Sequence, residues 1–336
     1  MSLPRSFLST NHRPVSAYLF DSGEEKVSCD DVNNCRTLFS ITSGCLATLF
    51  LSTWVSIHPN VPPPHQNSLA LFWWRLRLML LAIVVPELMV GLACRQFLDA
   101  WWFSKKTQLE LHPHYYIPFI RGIEIEDIKD RSKGDSISKG VALIQGLWFM
   151  TQSLARFHQG IAVTELEVAT LAFQFVTMFV WFLWWKKPLD VHQPILIGIG
   201  PVSVQLTPPQ HADLLEMVSA FFLGAFPDFD PDSSTSVPSF WSTHGTHKED
   251  SHLISIIIQT TVGAVFSAIH CAAWTVDFSS TIELWMWRIC SVVIAVLSFS
   301  LTVVYVPMVK LKVSAEWAWK ALDVTFLIAI VFYIMA

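Results

Sequence analysis

Apolar runs of roughly twenty residues recur along this chain, separated by polar segments that carry nearly all its charge. The first, residues 37–57, has no charged side chain and stops at His58-Pro59-Asn60-Val61-Pro62-Pro63-Pro64. Twenty residues at 1.5 Å each match the ~30 Å hydrocarbon core of a bilayer. Further runs at about 76–94, 138–155, 168–185, 253–274, 289–308 and 322–336 repeat the pattern, the last only just long enough to cross. The periodicity predicts an all-α protein, a polytopic transmembrane bundle of about seven spanning helices. Its third and fourth spans are joined by a short polar hairpin with Arg156, His158, Glu165 and Glu167, and the fourth closes on Trp184-Trp185-Lys186-Lys187-Pro188.

The polar segments complete the division of the chain. Residues 1–36 form a mixed-charge tail without the apolar core of a cleavable signal. Residues 37–336 form a single transmembrane domain. Within it, residues 210–226 place Leu214, Leu215, Val218, Phe221 and Phe222 opposite Asp213 and Glu216, which predicts an amphipathic helix lying in the interface. Residues 227–250, rich in Asp, Ser, Thr and Pro, are expected to be disordered.

Composition agrees. Of 336 residues, 52% are hydrophobic and 15% charged, against about a quarter charged in soluble domains. The 15 Trp and 24 Phe suit a membrane with aromatic belts. Strict alternation of seven crossings puts the tail and the 95–139, 186–251 and 310–320 connections on one side, with 18 of the 22 Lys and Arg. By the positive-inside bias that side, and the N-terminus, is cytosolic, and an endomembrane (ER) location is expected rather than the plasma membrane. Nothing resembles a nucleic-acid surface. The six cysteines lack metal spacing, and no metal or other cofactor is expected.

Candidate chemistry begins with Glu87, which follows Pro86 near the middle of the second run. An ionisable group there costs at least about 2.5 kcal/mol on insertion scales. It reads either as a buried staple between helices or as a working acid. Glu165, Glu167 and His270, with Arg288, lie at the mouth opposite the lysine-rich loops and are the other candidate catalytic residues. Their structural reading is also simple, because Thr164 is a normal N-cap and acidic residues favour a helix N-terminus. The Asp130–Asp135 segment (DRSKGD) lacks a phosphate-loop pattern and reads as a turn and helix cap.

Several blocks are specific in combination: residues 34–62, 84–96, 127–173 (with SKGD, QG and TELE), 182–191 (FLWWKKPLDV) and 268–291 (AIHCAAWTVDFSSTIELWMWRICS). On these the chain resembles a large family of fungal polytopic membrane proteins without an established common activity. The resemblance implies architecture, and assigns no role to Glu87, Glu165, Glu167 or His270. The expected partners are the bilayer and a lipid-soluble small molecule. One expected function is an intramembrane biosynthetic enzyme, an acid-catalysed cyclase or isomerase of a secondary metabolite such as a terpenoid. Glu87 would be its proton source, and aromatic rings would stabilise a cationic intermediate. A membrane transporter and a non-catalytic receptor or scaffold are the competing classes.

Overall fold

The computed structural model describes residues 37–61, 67–106, 136–161, 163–189, 249–274 and 280–311, with isolated positions beside and beyond them. Every element among the described residues is helical: α1 (Leu38–Ser56), α2 (Ser68–Val84), α3 (Pro86–Lys106), α4 (Ser136–His158), α5 (Glu165–Leu183), α6 (Glu249–His270), a 3-10 turn (Cys271–Ala273) and α7 (Thr281–Lys310). Of the expected closing span, residues 324–325, 327–328 and 331 are described, and all are helical. The tail 1–36, the interfacial helix 210–226 and all but Ser242, Glu249 and Asp250 of the 227–250 insert lie outside the described residues.

Local chemistry sets the helix ends. Thr37 caps α1 by accepting from Ser40 N–H at 3.1 Å. α4 closes with Gly160 at φ 68°, where Ile161 N–H reaches Arg156 C=O and Gly160 N–H reaches Phe157 C=O. That double bond pattern needs a left-handed residue, which glycine adopts without a Cβ penalty. α5 opens with a full capping box between Thr164 and Glu167.

Among the described residues, four helical stretches are long and apolar enough to cross a membrane, Leu38–Ser56, Glu165–Leu183, Leu253–Ala273 and Thr281–Met308, and the bent pair of α2 and α3 passes the same test taken together. α4 is as long as these but less apolar. Large apolar side chains point away from the bundle, among them Phe182, Phe299, Ile144 and Trp185. A surface so covered with apolar groups marks an interaction with another phase or partner.

The expected second span at 76–94 is not one rod. It is divided at Val85 into α2 and α3, whose axes differ by 108°. Pro86 is the cause: it has no N–H to donate to Ala82 and its ring disfavours a helical residue before it. Val85 is accordingly non-helical, at φ −135° and ψ 78°. Pro86 then sits at the first position of α3, where its missing N–H costs nothing.

Side-chain contacts fix how the helices run. Beyond the end of α1, the backbone of His58 meets the Lys187 ammonium just after α5, and Lys139 at the start of α4 donates to the Lys187 carbonyl at 3.2 Å. Midway along, Gln174 of α5 donates to Ser52 Oγ of α1 at 2.8 Å. α1 and α5 are therefore parallel. Gln96 of α3 joins the same end by donating to Asn60 at 2.8 Å, and Arg75 of α2 lies near it by donating to the Trp54 carbonyl at 2.9 Å. The chain thus enters α2 and leaves α3 at the same end of the bundle. At the far end Arg156 of α4 meets Glu167 of α5, and His270 of α6 meets Trp287 of α7.

α1 starts at the His270 end and finishes at the Lys187 end, whereas the α2–α3 pair enters and leaves the bundle at the Lys187 end.

α3 and α6 approach closely through glycine. Glu87 of α3 lies over Gly263 of α6, while Gln259 of α6 lies over Gly91 of α3. A Cβ on Gly263 would stand 2.6 Å from Glu87 Oε1 and 2.8 Å from its Cγ. Small residues at such crossings let helix backbones pack without a hydrophobic driving force. Gly263→Ala should therefore cost about 1–3 kcal/mol through overpacking. A lower yield of folded protein on detergent size-exclusion chromatography would show it, and Gly44→Ala, with open space around it, serves as the neutral control.

Candidate functional site

Glu87 is 5% exposed and lies in the first turn of α3, at the tip of the α2–α3 hairpin. Its Oε2 has no hydrogen-bond partner. Nine residues of α3, about 13 Å, separate it from Gln96 at one end of the bundle. Seven residues of α6, about 10 Å, separate its neighbour Gly263 from His270 at the other. The carboxyl group is therefore close to mid-height.

It interrupts a seam of buried polar positions. Along α6, Ser255, Gln259, Gly263, Ser267 and His270 recur every three or four residues and all are buried. This is the spacing of one helix face. α3 sets Glu87, Gly91 and Arg95 against it, and α7 contributes Ser291 and Ser298. Thr260 of α6 and Thr302 of α7 share a hydrogen bond beside it. The Oε1 of Gln259 is, like Glu87 Oε2, buried without a donor. Leaving such an acceptor unmade costs about 1–3 kcal/mol.

The other expected site residues lie apart from Glu87. Glu167 is engaged structurally: one carboxylate oxygen accepts from Arg156 at 2.5 Å, and the other accepts from Thr164 N–H at 3.0 Å and its hydroxyl at 3.2 Å. Glu165 is half-buried in the first turn of α5, where its charge suits the helix dipole. His270 pairs its Nδ1 with the Phe266 carbonyl at 2.8 Å, and its ring packs between Phe266 and Trp287. Trp287 Nε1 donates to the His270 carbonyl at 3.0 Å. These three share an end of the bundle but not a reaction centre with Glu87. Among the described residues no group of His, Cys, Asp and Glu could hold a metal ion.

Sequence reasoning missed the cluster at the Lys187 end. Lys187 Nζ donates to the His58 carbonyl and, at 2.7 Å, to Gln96 Oε1, and it lies 4.7 Å from the centre of the Trp184 ring. Trp184 Nε1 also donates to Gln96 Oε1, at 3.1 Å. One lysine thus ties the exits of α1 and α5 to the outgoing arm of the hairpin. The WWKKPLD stretch held the signal, although it reads equally as a lipid anchor.

Burial, with help from the Lys139 charge, pushes His58 down from 6.5 to about 3, and burial brings Lys187 down to about 7. The folded protein therefore binds fewer protons than the unfolded chain between these values and the ordinary ones. Stability rises with pH across both windows and falls as acid protonates the unfolded His58 below about 6.5. At pH 5 the His58 contribution to stability is lower by about 2 kcal/mol. Thermal unfolding in detergent should show this loss between pH 7.5 and 5, and His58→Gln should flatten that part of the profile.

Two adjoining segments of the chain, residues 18–117 and 115–204, match the model of one protein family, described as "Family of unknown function (DUF8562)". Together they cover more than half of the 336 residues and include α1 to α5, with Glu87, the capping box and Lys187. α6 and α7, with Gly263 and His270, follow the matched segment. No curated protein and no solved structure matches the chain.

Proposed function

We propose, for a chain that belongs to this family of unknown function, that it is an integral membrane protein that moves a small solute or ion across the bilayer. Glu87 is the group whose proton is exchanged in the cycle. The observation that carries the proposal is the place of Glu87. It sits at the break of a helical hairpin, halfway along a polar seam that follows α6 from one end of the bundle to the other. Broken helices whose ends meet near the midplane are the recurrent site architecture of secondary transporters. An unpaired carboxyl group there exchanges charge with whatever enters from either end.

The reading includes a topology. α1, α4, α5, α6, α7 and the closing run at 322–336 cross the bilayer, and α2–α3 re-enters from the Lys187 side, in place of seven simple crossings. α4 crosses because Lys139 and Arg156 lie at opposite ends of the bundle, 17 residues or about 25 Å apart. Sixteen of the 22 Lys and Arg then fall in α2, in the Lys187-side parts of α3, α4 and α7, and in the connections on that side. The positive-inside bias makes that side cytosolic and places the tail across the membrane from it.

One observation favours a second reading. An unpartnered Oε2 is what a general acid needs, so an intramembrane cyclase or isomerase of a lipid-soluble substrate would use the same residue. Transport is preferred because Oε1 and Cγ are packed against Gly263 and Ser298, which leaves a proton better access than a large apolar substrate. The test is a pH jump applied to the full chain in proteoliposomes on a solid-supported membrane. A charge displacement above that of empty liposomes is expected. If none appears with correctly inserted, monodisperse protein, the transport reading fails and product formation becomes the assay to pursue.

A further inference from the structure

We infer that the outer face of α2 holds an anionic phospholipid of the Lys187-side leaflet, its phosphate seated on the Arg77 guanidinium. The inference rests on the chain being an integral membrane protein whose hairpin enters from the Lys187 side, and is independent of which solute moves.

The rotation of α2 is fixed by α1. Arg75 donates to the Trp54 carbonyl at 2.9 Å and stacks on the Trp54 ring, 4.6 Å from its centre. The Phe72 ring lies 5.8 Å from the same tryptophan, which is itself stacked on Phe50. Arg77 follows Arg75 by two residues, a turn of about 200°, so it leaves the helix on the side away from α1. It is exposed there, in line with Leu69, Trp73 and Leu80, which are exposed and apolar. No hydrogen bond or ion pair holds it among the described residues.

Its depth follows from the same contact. Trp54 is two residues short of the end of α1, so Arg75 marks the Lys187 end of the bundle on α2. Arg77 lies about 3 Å further along, and its long stem lets the guanidinium reach back to the headgroups. A bare guanidinium in an apolar stripe is costly in hydrocarbon and takes a counter-charge within reach. Phosphate matches the paired donors of arginine. Leu80, nearly one turn nearer the hairpin tip, then meets the acyl chains, and Trp73, one turn the other way, suits the interface. A lipid without net charge fits less well. Its choline would bring another cation to an end of the bundle that already carries Arg75, Lys139, Lys186 and Lys187.

The test is native mass spectrometry of the full chain in detergent, titrated with dioleoylphosphatidylserine or dioleoylphosphatidylcholine. One phosphatidylserine should bind about fivefold more tightly than phosphatidylcholine, the effect of one basic side chain at a charged surface. Arg77→Gln should erase the preference at unchanged thermal stability, since the guanidinium bonds nothing in the protein, and Arg77→Lys should keep most of it. Lys186→Gln, which removes an exposed charge at the same end, should leave the preference intact. Equal binding of the two lipids, or a preference that survives Arg77→Gln, overturns the inference. So does a preference lost equally in Lys186→Gln, which would mark diffuse surface charge. Binding is read without a gradient, so these outcomes leave the transport reading standing. A missing pH-jump displacement with the lipid preference intact overturns transport alone.

Discussion

Cysteines placed at Ser16 and at Ser234 should be labelled from opposite sides of the membrane. With native cysteines replaced, an impermeant maleimide applied to sealed microsomes should modify Ser234→Cys at once, and Ser16→Cys only after detergent. The expectation follows from helix direction. His58, two residues beyond the end of α1, accepts from Lys187 at the exit of α5, and the earlier Ser52 of α1 meets the earlier Gln174 of α5. Two helices that meet in the same order along both chains run in parallel, so the start of α1 and the end of α5 lie at opposite ends. The effect is all-or-none because a 36-residue tail with four basic side chains is either translocated or not. Labelling of both positions from one side would restore the alternation of simple crossings, and would mean that α2–α3 spans the membrane as a broken helix.

What the amino-acid pattern made legible is what depends on neighbours along the chain. The uncharged runs gave α1, α5, α6 and α7 because burial of a whole helix in apolar surroundings needs only length and composition. Thr164 with Glu167, and Gly160 after α4, are local cap chemistry and could be read directly. Pro86 was visible too, but hydropathy does not say whether a broken helix continues across or turns back. That depends on Gln96 meeting Asn60 and Arg75 meeting Trp54, contacts between segments more than twenty residues apart. Read as simple crossings, the pattern puts the tail on the cytosolic side; read with a return, it puts the tail across the membrane.

The site was legible in the same uneven way. Glu87 stood out as a lone carboxyl group in an apolar run, but its expected setting in mid-helix gave way to a helix N-terminus at a break. Its partners could not be found from sequence. Gly263 and Gln259 matter only through the register of α3 on α6, and serine or glycine in an apolar helix is ordinary on its own. Trp184 and Trp185 are adjacent and alike, yet one is 2% exposed and the other 64%. The turn after Leu183 decides which of them, and which of Lys186 and Lys187, faces inward.

Glu87→Gln should leave the protein abundant and silent. Gln has the shape of a protonated Glu and can fill the same space over Gly263 beside Ser298. It adds no charge to the seam, so its stability should lie within about 1 kcal/mol of the wild type. It cannot give up or regain a proton, so the charge displacement evoked by a pH jump should fall to that of empty liposomes. Were the residue instead a general acid, product formation should fall by about 10² or more. Glu87→Leu separates this from a purely structural role. Its branched end presses on the Gly263 backbone and cannot bond in the seam, which should cost about 1–3 kcal/mol and reduce the monodisperse fraction. Glu87→Asp keeps the carboxyl group but draws it back by one methylene, and should retain part of the displacement with a shifted pH dependence. A staple between helices predicts a different series: Gln as active as wild type, with Leu and Asp impaired in proportion to lost folded protein. Abundant Gln variant with an unchanged pH-jump displacement would remove Glu87 from the mechanism and leave it a packing residue of the α3–α6 crossing.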